Sequence, residues 1–442
     1  MKQTLTSLSK IYILLFLLNG FFLQAQSVEK TQVNDNKSIV LKGGTAHIGN
    51  GEVIENSLII LENGKIKDIG TVASITDLPE NAETIELAGK EIYPSFIAAN
   101  TNMGLAEIGA VRATRDYQET GVFNPNVRSI IAYNTDSEVT PTVRSNGVLL
   151  AQVTPNGGAV SGQSSIVELE AWNWEDAAYK MDDAIYMAWP RMFSYSWKER
   201  KIKKNEKYEK QTSDFEQTFA EAKAYCSNKN GGTTNLKLEA MCDLFSKNKK
   251  LYVKTDYIKE IVAAVHFAKK FELELVIVGG QDSWMATDIL KDNNVAIIIN
   301  KTHNLPRRAD EDVDLPYKLP KILQDAGILY CITVGSGWDG FWDQRNISFE
   351  AGTAAAYGLT KEQALMSITS NAAKILGIDE TVGTLEKGKD ATLIVSKGDA
   401  LDMRTHHIEQ AFIRGRSVDL DNKQKKLYRK FMTKYEKEIK QH

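Results

Sequence analysis

Apolar and polar positions follow one rhythm at the two ends of this chain and another in the middle. Between residues 38 and 87 short runs read as strands: Ser38-Ile39-Val40-Leu41, Ser57-Leu58-Ile59-Ile60-Leu61, Lys65-Ile66-Lys67-Asp68-Ile69 and Thr84-Ile85-Glu86-Leu87. Gly43-Gly44 and Glu62-Asn63-Gly64 supply the turns, so this end is a small β unit. From residue 148 onward, strands alternate with helical patterns. Val148-Leu149-Leu150-Ala151-Gln152-Val153 is an apolar strand, and so are Leu251-Tyr252-Val253, 275–278, 295–299 and 328–334. Between them Ile258, Ile261, Val262, Val265 and Ala268 share one helix face, a helix is expected over about 284–290, and Pro320 is read as opening another. Strands buried on both faces and separated by helices predict parallel βα units.

After residue 383 the β pattern returns, with strands at 391–395 and 408–413 and a hairpin at Gly415. Leu427, Phe431, Tyr435 and Ile439 then recur every four residues among lysines, an amphipathic helix expected to pack on its own domain. Residues 198–250 break the rhythm. A charge-dense stretch, 198–210, precedes two expected helices around 212–226 and 235–247, and the segment reads as a solvated excursion or as a lid or docking insertion. A β unit split between the two ends around a βα region suggests a barrel whose termini pair into a side domain.

Lys2 and Lys10 precede an apolar stretch at 11–23, and Ala25 offers a cleavage point. That is the pattern of a secretory signal peptide over 1–25, so the mature chain is expected to be periplasmic or extracellular. The stretch is shorter than the ~20 residues a membrane span needs, and no other segment of the mature chain is long and apolar enough. The net charge of −3 gives no long-range field favouring nucleic acid or an acidic membrane surface, and no basic stripe points to nucleic acid. Cys226, Cys242 and Cys331 fit no zinc or redox spacing. Cys331 reads as a buried strand residue, and a Cys226–Cys242 disulfide is compatible with an oxidising compartment.

The segment Gly383-Thr384-Leu385-Glu386-Lys387-Gly388-Lys389-Asp390-Ala391-Thr392-Leu393-Ile394-Val395 resembles the closing signature of amidohydrolases of the imidazolonepropionase and dihydroorotase type. Thr369-Ser370-Asn371-Ala372-Ala373-Lys374-Ile375-Leu376-Gly377, Glu62-Asn63-Gly64-Lys65-Ile66 and Glu91-Ile92-Tyr93-Pro94-Ser95-Phe96-Ile97 are similar to that family as well, although it usually has proline where Ala372 stands. The resemblance spans residues 38–420. It implies an α/β fold: a distorted (β/α)₈ TIM barrel over 94–378 with the helical insertion at 198–250, and a composite β-sandwich from 26–93 and 379–420, followed by the helix of 421–442. It also implies a site at the C-terminal mouth of the strands, where one or two divalent metals, zinc in the family, activate water against a C–N bond of a cyclic amide, amidine or related small molecule.

The residues depart from that pattern. Asn100 and Asn102 stand where the family's His-X-His pair on the first barrel strand should be, and amide oxygens are hard, weak ligands. Lys254, with Asp256 beyond it, follows the fifth strand in place of a histidine. Gln281 follows the sixth. Gly335-Ser336-Gly337 follows the last, with Asp339 as the first acid. Of the six histidines, His47, His406 and His407 lie in the β ends, His266 within a helix and His442 at the terminus. Only His303 is expected near the mouth. Glu107, Arg112, Gly157, Gly158 and Trp338 are candidates for ligand binding, with Arg115, Asp116, Trp172, Trp174 and Trp342 near them.

Two readings stay open. One is an exported hydrolase that works with no metal or with one weakly held divalent ion at Asn100, Asn102 and Gln281. Without the ion, Lys254 instead supplies the electrophilic charge, and in either case Asp256, His303 or Asp339 moves protons. The other is a barrel that has kept its fold and lost its metal, binding a ligand or partnering an active relative. A homodimer, or pairing with that relative, is the expected assembly.

Overall fold

The structure, a computed structural model, describes residues 38–228, 233–336 and 340–435. The signal-peptide expectation and the positions Trp338, Asp339 and His442 lie outside the described residues. Both ends of the chain contribute to one sandwich. Strands Lys65–Thr71, Ser57–Glu62, Ile39–Lys42 and Glu83–Glu86 form a four-stranded sheet. A six-stranded sheet places Leu393–Ser396 antiparallel to Glu91–Pro94, with Leu393 opposite Pro94 and Val395 opposite Ile92. Leu41, Ile59 and Ile66 from the first sheet bury against Ile92, Leu393 and Phe412 from the second, so burial of apolar surface ties the two ends together.

An eight-stranded sheet curls into a nearly closed barrel. Its strands are Phe96–Thr101, Val148–Val153, Val160–Glu168, Ala178–Ala188, Lys250–Thr255, Leu275–Gly279, Ala296–Asn300 and Tyr330–Thr333, paired in chain order. The ends meet where the Thr333 hydroxyl donates to the Ala99 carbonyl at 2.6 Å. The barrel is distorted because its third strand runs antiparallel to both neighbours. Ser161 and Gly162 lie in this strand. Its polar run Ser161-Gly162-Gln163-Ser164-Ser165 hides the strand pattern.

Alternation along the strands separates inside from outside. Ile97, Ala99, Leu150, Ile166, Tyr186, Tyr252, Val278 and Ile298 fill the barrel, and Ala372, Ile375 and Leu376 of helix Ser370–Leu376 close its lower end. The intervening residues, among them Ala98, Ala151, Val253, Ile277 and Ile332, pack outward under the helices.

Three local corrections follow. The helix attributed to Pro320 begins at Leu315 with Pro316 in its first turn, where a missing N–H costs nothing, and Pro320 lies inside it. A hairpin, Phe193–Ser196 with Lys201–Lys204, straddles the start expected for the insertion at 198, and the charge-dense reading did not resolve it. The terminal helix, described over Lys423–Lys434, buries none of its residues, and Leu427, Phe431 and Tyr435 stay exposed. It is tethered instead at its start, where Asn422 donates to Ser145 at 2.8 Å and Thr142 to Gln424 at 2.9 Å.

The rest of the insertion is held by aromatic packing and a disulfide. Phe219 of helix Tyr208–Ser227 meets Phe267 edge-on at 4.9 Å, and Trp189 lies across Phe267 at 5.4 Å. Cys226 and Cys242 are bonded, with Cα atoms 5.4 Å apart. No helix among the described residues is long and apolar enough to cross a membrane.

Candidate functional site

The upper end of the barrel interior is polar. One layer down, Gln152 donates to Asp183 at 2.7 Å and accepts from the Tyr186 hydroxyl at 2.7 Å, while Ser164 donates to the other Asp183 oxygen at 2.7 Å. Burial raises the Asp183 carboxyl above its ordinary value, against the pull of the Ser164 and Gln152 hydrogen bonds. The Tyr186 and Tyr252 rings stack, 4.9 Å between centroids.

At the mouth the first strand bulges. Asn100 takes a left-handed backbone with φ 51°, and the pairing register with the second strand shifts between Ala98 and Thr101. The extra residue resets the alternation, so Asn100 and Asn102 follow Ile97 and Ala99 on the inner side. Lys254 lies two residues beyond inward Tyr252, and Asn300 two beyond inward Ile298, so both reach the same space.

Two hydrogen-bond chains leave the Lys254 ammonium. In one, Lys254 donates to the Asn156 side-chain oxygen. Asn156 then donates to Asn102 at 3.0 Å, and Asn102 to the Thr154 carbonyl at 2.9 Å. In the other, Lys254 donates to Ser336 at 3.3 Å, Ser336 to Asn100 at 3.2 Å, and Asn100 to Asn300 at 3.3 Å. Thr154 also donates to the Asn100 oxygen at 3.4 Å. An ammonium has three N–H groups, and among the described residues the third meets no acceptor. Lys254 keeps part of its surface accessible. Burial nevertheless pushes its ammonium down from an ordinary 10.5 to about 7, and among the described residues no carboxylate opposes the shift.

The other candidates divide around this cluster. Gln281 lies beside the last member of the second chain, Asn300, and Arg307 at a cavity of about 20 Å³, room for a water. Asp256 is held by Arg307 at 3.1 Å, and the Arg307 guanidinium covers Tyr257 at 4.0 Å. His303 is turned to helix Ile347–Ala356, where its ring meets Thr353 and lies 3.4 Å from Glu350, whose carboxylate also accepts from the His303 N–H at 2.8 Å. Glu107 accepts from Asn134 at 3.3 Å. Arg112 and Arg115 line a shallow surface hollow with Gln118. Trp172 is exposed, while Trp174 and Trp342 pack partly against the core.

Gly157 and Gly158 both take positive φ, 94° and 68°. A side chain there would strike Gln118 at 2.6 Å and the Val122 carbonyl at 2.8 Å, so the loop around 118–122 is laid over these glycines. That loop is fastened by Asn156 N–H to the Tyr117 carbonyl at 2.7 Å and Ala159 N–H to Val122 at 2.7 Å.

Sequence reasoning did not single out Asn156 and Ser336 as partners of Lys254, or Asn300 as the partner of Asn100. The available signal was an asparagine or serine directly after an apolar strand or inside a glycine turn, three times on one barrel end.

The donors present do not fit the family's zinc. Zinc takes thiolate, imidazole and carboxylate. Here the amide oxygens of Asn100, Asn102 and Asn156 already accept hydrogen bonds, and a cation shares the space. Among the described residues no group of three His, Cys, Asp or Glu is arranged to hold a metal ion.

A model of the amidohydrolase family matches residues 317–422. Among solved structures, an amidohydrolase from Thermotoga maritima MSB8 is 22% identical, covers 86% of this chain and 99% of its own, and superposes with a TM-score of 0.75. An adenosine deaminase from Xanthomonas campestris with bound zinc is 14% identical, covers 90% and 98%, and gives a TM-score of 0.53. A molinate hydrolase, also 14% identical and covering 87% and 95%, gives 0.53. No curated protein matches the chain. The family match covers the closing quarter of the chain, and the barrel-with-sandwich fold is shared with these structures over most of its length.

Proposed function

We propose that the barrel mouth is a metal-free site in which Lys254 does by hydrogen bonding what a cation does elsewhere in the family: it holds the carbonyl or carboxylate oxygen of a small ligand. The observation that carries this reading is the pair of relays from Lys254, through Asn156 to Asn102 and through Ser336 to Asn100. They fix the ammonium and, among the described residues, leave one N–H without an acceptor. Oriented donors around a partly enclosed charge favour an oxygen ligand strongly, because little reorganisation is needed on binding. On this account the chain is a ligand-binding member of a hydrolase superfamily, alone or beside an active relative. The disulfide Cys226–Cys242 supports placing it in an oxidising compartment, as an exported protein would be.

A second reading is favoured by one observation, the Lys254 pKa of about 7. A lysine near neutrality can exchange a proton with a leaving nitrogen, so a metal-independent hydrolysis of a C–N bond in a cyclic amide or amidine is its natural form. One experiment separates the readings. Cyclic amides, amidines and small carboxylates are screened by thermal shift, with and without chelator, and each hit is then followed for turnover. The binding reading expects a ligand whose affinity drops on Lys254→Met, ignores chelator and is recovered intact. Ligand converted at a rate that falls with Lys254→Met supports the second reading. Turnover that requires added zinc contradicts both.

A further inference from the structure

The hairpin of Phe193–Ser196 and Lys201–Lys204 stands outside the account of the mouth. Its register sets Phe193 opposite Lys204, Ser194 opposite Lys203, Tyr195 opposite Ile202 and Ser196 opposite Lys201. Strand alternation therefore sends Phe193, Tyr195 and Ile202 to one face, and Ser194, Ser196, Lys201 and Lys203 to the other. Trp197 at the turn extends the first face, edge-on to Tyr195 at 5.0 Å. These apolar side chains are not buried: Trp197 is 86% and Ile202 72% exposed, and Phe193 and Tyr195 are each about half exposed. A two-stranded hairpin with an uncovered apolar face is marginal in water and gains from a surface to lie on.

The charge around that face says which surface. Between 191 and 207 there are seven basic residues and two acidic ones, a local charge of +5 on a chain whose net charge is −3. Glu199, one of the two acids, is already taken by Lys201 at 3.0 Å and by Lys203. Lysines that only guarded a sheet edge would not need three aromatic rings beside them. Tryptophan and tyrosine prefer the boundary between headgroups and acyl chains. Lysine stems can lie along that boundary while their ammonium groups reach phosphate.

We propose that this hairpin docks the protein on an anionic lipid surface, with Phe193, Tyr195, Trp197 and Ile202 in the interfacial layer and the surrounding lysines on the headgroup phosphates. The hairpin follows the C-terminal end of strand Ala178–Ala188, the barrel end at which Lys254 opens. The inference does not depend on how the mouth is used.

The test is sedimentation of the full chain with phosphatidylcholine vesicles, with and without about one-third phosphatidylglycerol, at low and high salt. Lys198→Gln/Lys204→Gln and Trp197→Ser are run alongside, each checked for unchanged circular dichroism. Any contribution of residues 1–37 is common to all of them. Binding is expected to require anionic lipid, to weaken with salt and to fall roughly five-fold per lysine removed. Trp197→Ser weakens what remains in high salt. Equal binding by wild type and both variants overturns the proposal and points to the basic helix Lys423–Lys434. So does a failure to bind anionic vesicles at low salt. Self-association that Trp197→Ser abolishes, without vesicle binding, overturns it in favour of a second copy of the chain.

Discussion

Among the described residues Lys254 is a cation held in the barrel with no carboxylate partner, and such a residue costs stability that its removal should return. Each tenfold change in a protonation equilibrium is worth about 1.4 kcal/mol. A fall from 10.5 to about 7 therefore sets an upper bound of about 5 kcal/mol on the cost of keeping the ammonium charged in the folded state. Because the side chain is partly accessible, solvent screening reduces this to about 2–3 kcal/mol. Lys254→Met keeps the length and removes the charge. It leaves the Asn156 and Ser336 oxygens to find water, at about 1 kcal/mol together. The net expectation is a gain of about 1–2 kcal/mol at pH 7.

The pH dependence carries a second signature. At low pH both folded and unfolded chains hold the proton, and the cost is complete. Between about 7 and 10.5 the unfolded chain holds more protons than the folded one, so wild-type stability rises with pH, and above that window the cost is gone. Lys254→Met should lack this rise. Urea unfolding followed by tryptophan fluorescence at several pH values measures both effects. A Lys254→Met protein less stable than wild type at pH 7, with an unchanged pH profile, would refute the reasoning. A stabilising substitution that removes ligand binding is what a residue kept for function, at a cost in stability, should give.

Three further outcomes are expected. Replacing Cys226 and Cys242 by alanine, or adding reductant, opens a loop of 16 residues and should cost about 3 kcal/mol in thermal or urea unfolding. His47 lies between Glu362 at 2.6 Å and Glu91 at 3.0 Å. Burial opposes its protonation, but the bonds and charges of Glu362 and then Glu91 outweigh that and raise its pKa. The stabilisation is complete below the unfolded value of 6.5 and is lost as pH rises through the higher folded value, a decline that a pH series on His47→Gln should show flattened. Gly158→Ala puts a methyl group 2.8 Å from the Val122 carbonyl at a φ of 68°. It should cost about 1–2 kcal/mol and make the loop around 118–122 easier to cleave in limited proteolysis.

What sequence could convey here depended on whether a residue's neighbours are near it in the chain. Lys254 was legible because it ends an apolar strand and alternation from Tyr252 turns it inward, whereas Asn100 and Asn102 stood out by their place in the family's pattern and only the bulge, invisible to alternation, brings them to the inner side. The sandwich was legible from motifs at both ends, whose apolar strands had no other partner. The antiparallel strand Val160–Glu168 was not, because its Gln163 and Ser164 look polar in sequence while Ser164 lies buried against Asp183. Asn156 and Ser336 sit in glycine-containing turns, and only the barrel's closure brings them to Lys254. The hairpin at 193–204 was concealed by its own composition. Its lysines give a charge run in sequence, and only the register sorts them from the aromatic residues opposite. A whole-chain charge of −3 likewise says nothing of a local +5.

The central claim, that the mouth is organised around Lys254 and not around a metal, is tested most directly by metal content. Plasma mass spectrometry is applied to the protein purified without chelator, and again after dialysis against zinc. The account predicts well under one equivalent in both samples, with folding intact. Retention of about one equivalent that disappears in Asn100→Ala/Asn102→Ala would contradict it, because those amides would then be ligands and not links in a hydrogen-bond relay.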